Sequence, residues 1–194
     1  MASKDKKTEQ HIIDTAMHVF FTEGRLHATT QDIADTARVN RTLIHYYFKS
    51  RDQLFDTVFE RARLESIRET QSVLCAALPF RNKIEQFVEI LLLRLQTYPF
   101  LEISMTASIQ EGIYLKDKPE VFMQQFITEV QQEMDKGTIQ RSNPVHFIMN
   151  LFSLVVYPFI VKPLNQHLFG LNEQEYENIV KERKTVILNT LFNN

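Results

Sequence analysis

The chain has 194 residues, with 22 Lys+Arg against 24 Asp+Glu, a net charge of −2 and 44% hydrophobic residues. That length suits one domain or two small ones, with a core large enough to hold without staples. The composition excludes wholesale disorder, and the balanced charge excludes a generally polybasic binder while leaving room for a local basic face.

A single cysteine, Cys75, excludes an intrachain disulfide and a Cys-rich zinc site. Met1 to Gln10 is polar and charged, without the apolar stretch of a signal peptide. The longest apolar run, Phe147 to Val161, is interrupted by Asn150 and Ser153 and falls short of the ~20 residues of a membrane span. A cytoplasmic chain with no membrane partner is expected. Only four glycines occur, Gly24, Gly112, Gly137 and Gly170. Each follows a helix-like segment, where a left-handed C-cap wants it. No stretch alternates with period two, so the expected fold class is all-α.

In chain order, Ile12, Ile13, Ala16, Val19, Phe20 and Phe21 recur at helical spacing from about Thr8 to Glu23, and Gly24 ends that helix. Thr29 or Thr30 is placed to cap a short helix over Gln31–Ala37, since a Thr hydroxyl accepts a free N–H of the first turn. Arg38-Val39-Asn40 breaks it, and Asn40 caps a third short helix, Arg41–Phe48. A longer helix runs from Arg51 to about Cys75. Pro79, Pro99, Pro119 and Pro144 then bound helices near 81–97, 100–112, 119–136 and 144–162. A last helix spans about 172–192. The plausible boundary lies near residues 48–52, where three short helices give way to long ones.

Thr29 to Arg51 holds the informative constellation. A short helix, a turn of about three residues and a second short helix form a helix-turn-helix, whose second helix enters the major groove. From Thr36 to Arg51 there are four basic residues, Arg38, Arg41, Lys49 and Arg51, and no acidic one. Asn40, Thr42, His45, Tyr46 and Tyr47 add groups able to hydrogen-bond to phosphates or base edges.

This stretch resembles the DNA-binding domain of the TetR (tetracycline repressor) family of bacterial regulators. The resemblance runs through Ile12-Ile13-x-x-Ala16 and Phe20, Thr29-Thr30-x-x-Ile33-Ala34, Val39, Tyr46-Tyr47-Phe48-Lys49-Ser50 and Leu54-Phe55. It covers about residues 8–60, with caps, apolar and aromatic positions in register together. The chain departs from the family where Arg38 replaces a common turn Gly, where Thr42 and Leu43 stand for Gly and Thr, and where His45 stands for Tyr. If the turn needs positive φ, Arg38 is strained there. The resemblance implies an N-terminal three-helix domain over residues 1–50 and a larger helical ligand-binding and dimerisation domain over 51–194. Thr30, Lys49 and Tyr46 or Tyr47 are then the expected phosphate contacts, Arg41 and His45 the expected base readers, and Gln31 touches a base or a phosphate. Ile33, Ala34, Val39, Ile44 and Phe48 are expected core. Arg51 is either a solvated helix start or a phosphate contact.

Twelve of the fifteen phenylalanines lie after residue 50. The expected effector pocket is lined by Phe87, Leu91, Phe100, Met105, Ile109, Phe122, Met123 and Phe126, with no buried Arg or Lys, so the effector is expected to be mainly apolar. His146, Asn150, Ser153 and Tyr157 fall on one face of the helix near 144–162. They face the pocket, where Asn150 and Tyr157 would orient the effector, or a dimer partner, or neighbouring helices. The surplus apolar surface of the last two helices predicts a four-helix dimer contact that includes Ile187 and Leu191. The helix from Arg51 to Cys75 is the expected sole link between reading head and pocket. No H-E-x-x-H, G-x-S-x-G, P-loop or C-x-x-C occurs, so no enzyme, cofactor or metal site is expected. The function expected is a homodimeric regulator that binds a double-stranded DNA operator and is released by a small molecule. The alternative is a helical small-molecule-binding protein without sequence-specific DNA recognition.

Overall fold

The computed structural model describes residues 2–110 and 121–192, with side chains at 5–108 and 121–192. It is all-helical: α1 (Ala2–Met17), a π-helical turn (His18–Thr22), α2 (Thr30–Ala37), α3 (Arg41–Phe48), α4 (Arg51–Leu74), α5 (Phe80–Thr97), α6 (Leu101–Gln110), α7 (Val121–Asp135), α8 (Pro144–Ile160), α9 (Lys162–Phe169) and α10 (Glu173–Phe192). The chain forms two compact units, one made of residues up to Ile67 with Thr97–Ala107, the other of Arg68–Gln96 with the residues from Ser108 onward. Both α4 and α6 pass from one unit into the other, so α4 is not the sole continuous link that the sequence led us to expect.

In the first unit the apolar stripe of α1 and the π-turn supplies Ile12, Ala16, Val19, Phe20 and Phe21, all buried with Ile33, Ile44, Leu54 and Val58. Phe20 meets the edge of Phe55 at 5.1 Å, and Phe55 stacks on Phe59 at 6.0 Å. Burying each Phe side chain contributes roughly 1.5–3 kcal/mol. The widened π-turn closes through Glu23 N–H to His18 O at 3.0 Å. Phe21 O instead accepts from Phe100 N–H at 3.1 Å, and the Thr22 hydroxyl donates to Thr97 O at 2.9 Å. Gly24 is doubly required here. Its φ is +72°, and a Cβ would lie 2.6 Å from the Phe100 ring.

The second unit centres on Phe80, whose ring lies 5.7 Å from Phe147, 6.0 Å from Phe192 and 6.3 Å from Phe126. Leu151, Val155 and Ile187 are fully buried between α8 and α10. Ile187 and Leu191 therefore belong to the chain's own core, and the large apolar side chains that α8 and α10 leave exposed are Val145, Met149, Tyr157, Ile179 and Val186. Lys83 is also buried, 5% exposed, and its ammonium donates to both carboxylate oxygens of Glu129 at 2.7 and 2.6 Å. The expectation of no buried cation among these helices is thus corrected; the carboxylate satisfies the charge that burial would otherwise penalise.

The helix expected over 144–162 is α8, which ends at Ile160, and α9, which the sequence did not lead us to expect, follows at a bend of 74°. Pro158 and Pro163 supply the reason, because neither donates an N–H to the preceding turn. Pro158 cannot bond Leu154 O, and Arg183 of α10 takes that carbonyl with Nε at 3.2 Å and Nη2 at 2.9 Å. The Tyr176 hydroxyl donates to Pro158 O at 2.5 Å. Among the described residues no single helix is long and apolar enough to cross a membrane.

Candidate nucleic-acid interface

Thr29 caps α2: its hydroxyl accepts from Asp32 N–H at 3.2 Å, and the Asp32 carboxylate accepts from Thr29 N–H at 2.7 Å. This capping box satisfies two free donors of the first turn. The bonds from the Thr29 side chain and backbone, helped by Arg25, hold the Asp32 carboxyl below its usual range. At its other end, α2 closes with Val39 N–H on Ala34 O at 3.0 Å and Arg38 at φ 55°, ψ 42°. That is the left-handed C-cap geometry glycine favours, so the strain expected for Arg38 is present. His11 of α1 places Nε2 2.9 Å from Ala37 O at the same end.

Asn40 caps α3, accepting from Thr42 N–H at 2.8 Å and from the Thr42 hydroxyl. Ile44 and Phe48 turn inward. Arg41, Thr42, His45, Tyr46 and Lys49 are exposed, Tyr46 by 71%. Arg41 and His45 are spaced i, i+4 and share one face of α3, and Lys49 follows as its C-cap. His45 Nδ1 lies 3.1 Å from Lys49 O. Lys49 itself has φ 59°, ψ −42°, and Ser50 N–H closes a γ-turn on Phe48 O at 2.6 Å. This positive-φ γ-turn is rare and strained, and strain of this kind clusters at functional sites.

Other expected contacts are engaged within the protein. Thr30 is buried, 5% exposed, and its hydroxyl accepts from Arg41 Nε at 3.0 Å. Gln31 donates to Asp35 at 2.7 Å. The Tyr47 hydroxyl donates to Asp5 at 2.9 Å, which ties α1 to α3. Burial first, then this bond, raises the Tyr47 phenol above its usual value, so it stays a neutral donor. Arg51 is neither a solvated helix start nor a free phosphate ligand. It donates to the carbonyls of Leu26 and Ala28 and lies 5.3 and 5.0 Å from the ring centres of Phe20 and Phe55. It fastens the α1–α2 link to α4.

The basic groups left on this surface are Arg38, Arg41 and Lys49. Sequence reasoning missed Asp5, His11, Asp32 and the role of Arg51. Only Asp32 had a signal, an acid three residues after a Thr cap.

The residues expected to line an effector pocket are divided. Phe87, Leu91, Phe122 and Phe126 are buried in the second unit with Met123 half-buried, whereas Phe100 and Met105 belong to the first. The Ile109 side chain lies outside the described residues. Asn150 and Tyr157 open, with Ser153, Arg183 and Thr190, onto a groove of about 460 Å³. His146 is also exposed, so the whole stripe lies on the surface of α8.

A helix-turn-helix head with an exposed, acid-free second helix, joined to further helices, defines a helix-turn-helix protein of the all-α class. Residues 12–58 match the model of the tetR family of bacterial regulatory proteins. It is similar to the "Probable acrEF/envCD operon repressor" of Escherichia coli (strain K12), 36% identical over 86 residues, 42% of this chain and 38% of that one. The match thus spans under two fifths of that relative's length. The HTH-type transcriptional regulator YfiR of Bacillus subtilis (strain 168) is 24% identical over 157 residues, 77% of this chain and 76% of its own. A TetR family transcription regulator from Marinobacter aquaeolei VT8 shares the fold with a TM-score of 0.62 at 13% identity, covering 98% of each chain. HlyIIR, a hemolysin II transcriptional regulator, does so with 0.54 at 18% identity, covering 98% of this chain and 99% of its own.

Proposed function

We propose that this chain is a cytoplasmic, ligand-responsive transcriptional repressor. Residues 1–50 read a palindromic double-stranded operator, and residues 51–194 dimerise and bind a small molecule. The observation that carries the reading is the exposed pair Arg41 and His45 on α3, with exposed Lys49 at its C-cap, inside a stretch free of acidic residues. Lys49 and Tyr46 approach phosphates, and Arg41 and His45, on the first two turns of α3, meet base edges. A two-fold dimer sets two such helices about 34–36 Å apart on successive major grooves.

The dimer contact is the face of α8 and α10 bearing Val145, Met149, Tyr157, Ile179 and Val186, where exposed apolar side chains flank Asn150 and Ser153. The effector is mainly apolar, since Phe87, Leu91, Phe122 and Phe126 dominate the interior of the second unit. It acts by population shift, favouring a form in which α4 is displaced and the two heads leave the one-turn spacing.

The test is a gel-shift titration of the full chain against DNA from upstream of its own gene, at several salt concentrations. Saturable binding that weakens steeply with salt is expected. Binding indifferent to salt, or none to any fragment, refutes the reading.

A further inference from the structure

Thr30 opens α2 and Arg41 opens α3, eleven residues apart in sequence, and the helix-turn-helix brings them side by side. The Thr30 hydroxyl is buried and accepts from Arg41 Nε at 3.0 Å. A guanidinium offers two donor forks, one of Nε with a terminal nitrogen and one of the two terminal nitrogens. The bond to Thr30 occupies the first. The second carries no protein partner among the described residues, and Arg41 is itself exposed. The holding group is a neutral hydroxyl, so the charge stays uncompensated. Arg41 is the first residue of α3, the end of a recognition helix that meets base edges.

On the proposal that α3 reads DNA, we infer that Thr30 is a positioning residue that aims the terminal fork of Arg41 at guanine, and so sets the specificity of one base pair in each half-site. Guanine alone presents two acceptors, O6 and N7, side by side in the major groove; adenine pairs one acceptor with a donor and repels one arm of the fork. Fixing Nε removes the freedom that would let the side chain swing to a neighbouring phosphate. Thr30 thereby changes role, from a residue expected at a phosphate to one that never touches DNA.

The test is selection from a duplex library with randomised half-sites, using the full-length protein and its Thr30→Val, Thr30→Ser, Arg41→Lys and Arg41→Ala variants. Wild type is expected to enrich guanine at one position. Thr30→Val, which keeps shape and loses the acceptor, is expected to lower that preference about tenfold. All other positions and the salt slope stay unchanged, since no phosphate contact is lost. Thr30→Ser retains the preference. Arg41→Lys, at an exposed site that does not endanger folding, keeps the charge and loses the preference because it has no fork.

Two results overturn the inference while leaving the wider reading intact: guanine enrichment that survives Arg41→Lys and Arg41→Ala, or a Thr30→Val protein that weakens all duplexes alike and flattens the salt slope, as a phosphate contact would. Enrichment of no sequence by wild type overturns both.

Discussion

Substituting Arg183 tests whether α10 repairs the backbone of α8. Pro158 leaves Leu154 O without its helical donor, and two nitrogens of Arg183 replace it. Arg183→Met keeps much of the side-chain volume and removes both bonds. A hydrogen bond from a charged donor contributes about 1.5–3 kcal/mol, and a carbonyl left bare costs a similar amount, so a loss of about 2 kcal/mol is expected. For a chain of this length that corresponds to roughly 4–8 °C in Tm. The decisive comparison is with Pro158→Ala, which restores an N–H to the helix. In that background Leu154 O has its own donor, and Arg183→Met should cost under about 0.5 kcal/mol, a coupling of about 1.5 kcal/mol between residues on different helices. Urea denaturation followed by circular dichroism, at one fixed protein concentration so that any dimer contributes equally, measures all four proteins. Equal costs in both backgrounds refute the reasoning.

Arg38→Gly should stabilise the chain by about 1 kcal/mol in the same assay, because glycine adopts the φ of 55° without strain. Asp32 is held ionised by Thr29, so its stabilisation is present at neutral pH and is lost as pH falls through its lowered value. Thr29→Val should therefore flatten the acid limb of the stability–pH curve, and an unchanged limb would show that the capping box contributes nothing. Gly24→Ala should cost more than about 2 kcal/mol, combining a positive φ with a Cβ driven into Phe100, as read from its unfolding midpoint. Met149→Asp, at a side chain 58% exposed, should yield folded monomer by sedimentation, whereas Ile187→Asp should unfold the chain outright.

The head was legible because its signals are local. Asn40 and Thr29 are caps whose partners lie two or three residues away, and Ile33, Ala34, Ile44 and Phe48 follow the period of their own helices. The end of α8 was legible in Pro158 and Pro163, whereas α9 was missed because its eight residues bury no side chain and so carry no apolar stripe. Arg51 and Thr30 were not legible. Each looks like a surface group in sequence, and each is claimed by a partner more than ten residues away. The candidate pocket was underdetermined by the sequence for the opposite reason. Phenylalanine and methionine spaced along helices describe a lined cavity and a filled core equally well, and only packing separates Phe126 against Phe80 from Phe100 against Gly24.

The segment Thr97–Ala107 folds with the head although it lies thirty residues beyond the head's last contiguous stretch. This sets rules for cutting and splicing. A fragment ending at Ile67 would strip the Phe100 N–H from Phe21 O, the Thr97 carbonyl from Thr22 and the Phe100 ring from Gly24, and would present a hollow where the full chain has a seam. A chimera that grafts this reading head onto a foreign sensor must carry the α5–α6 turn with it, or redesign the floor beneath Gly24. The transplantable module is a discontinuous one, and its second piece lies outside the residues that match the family.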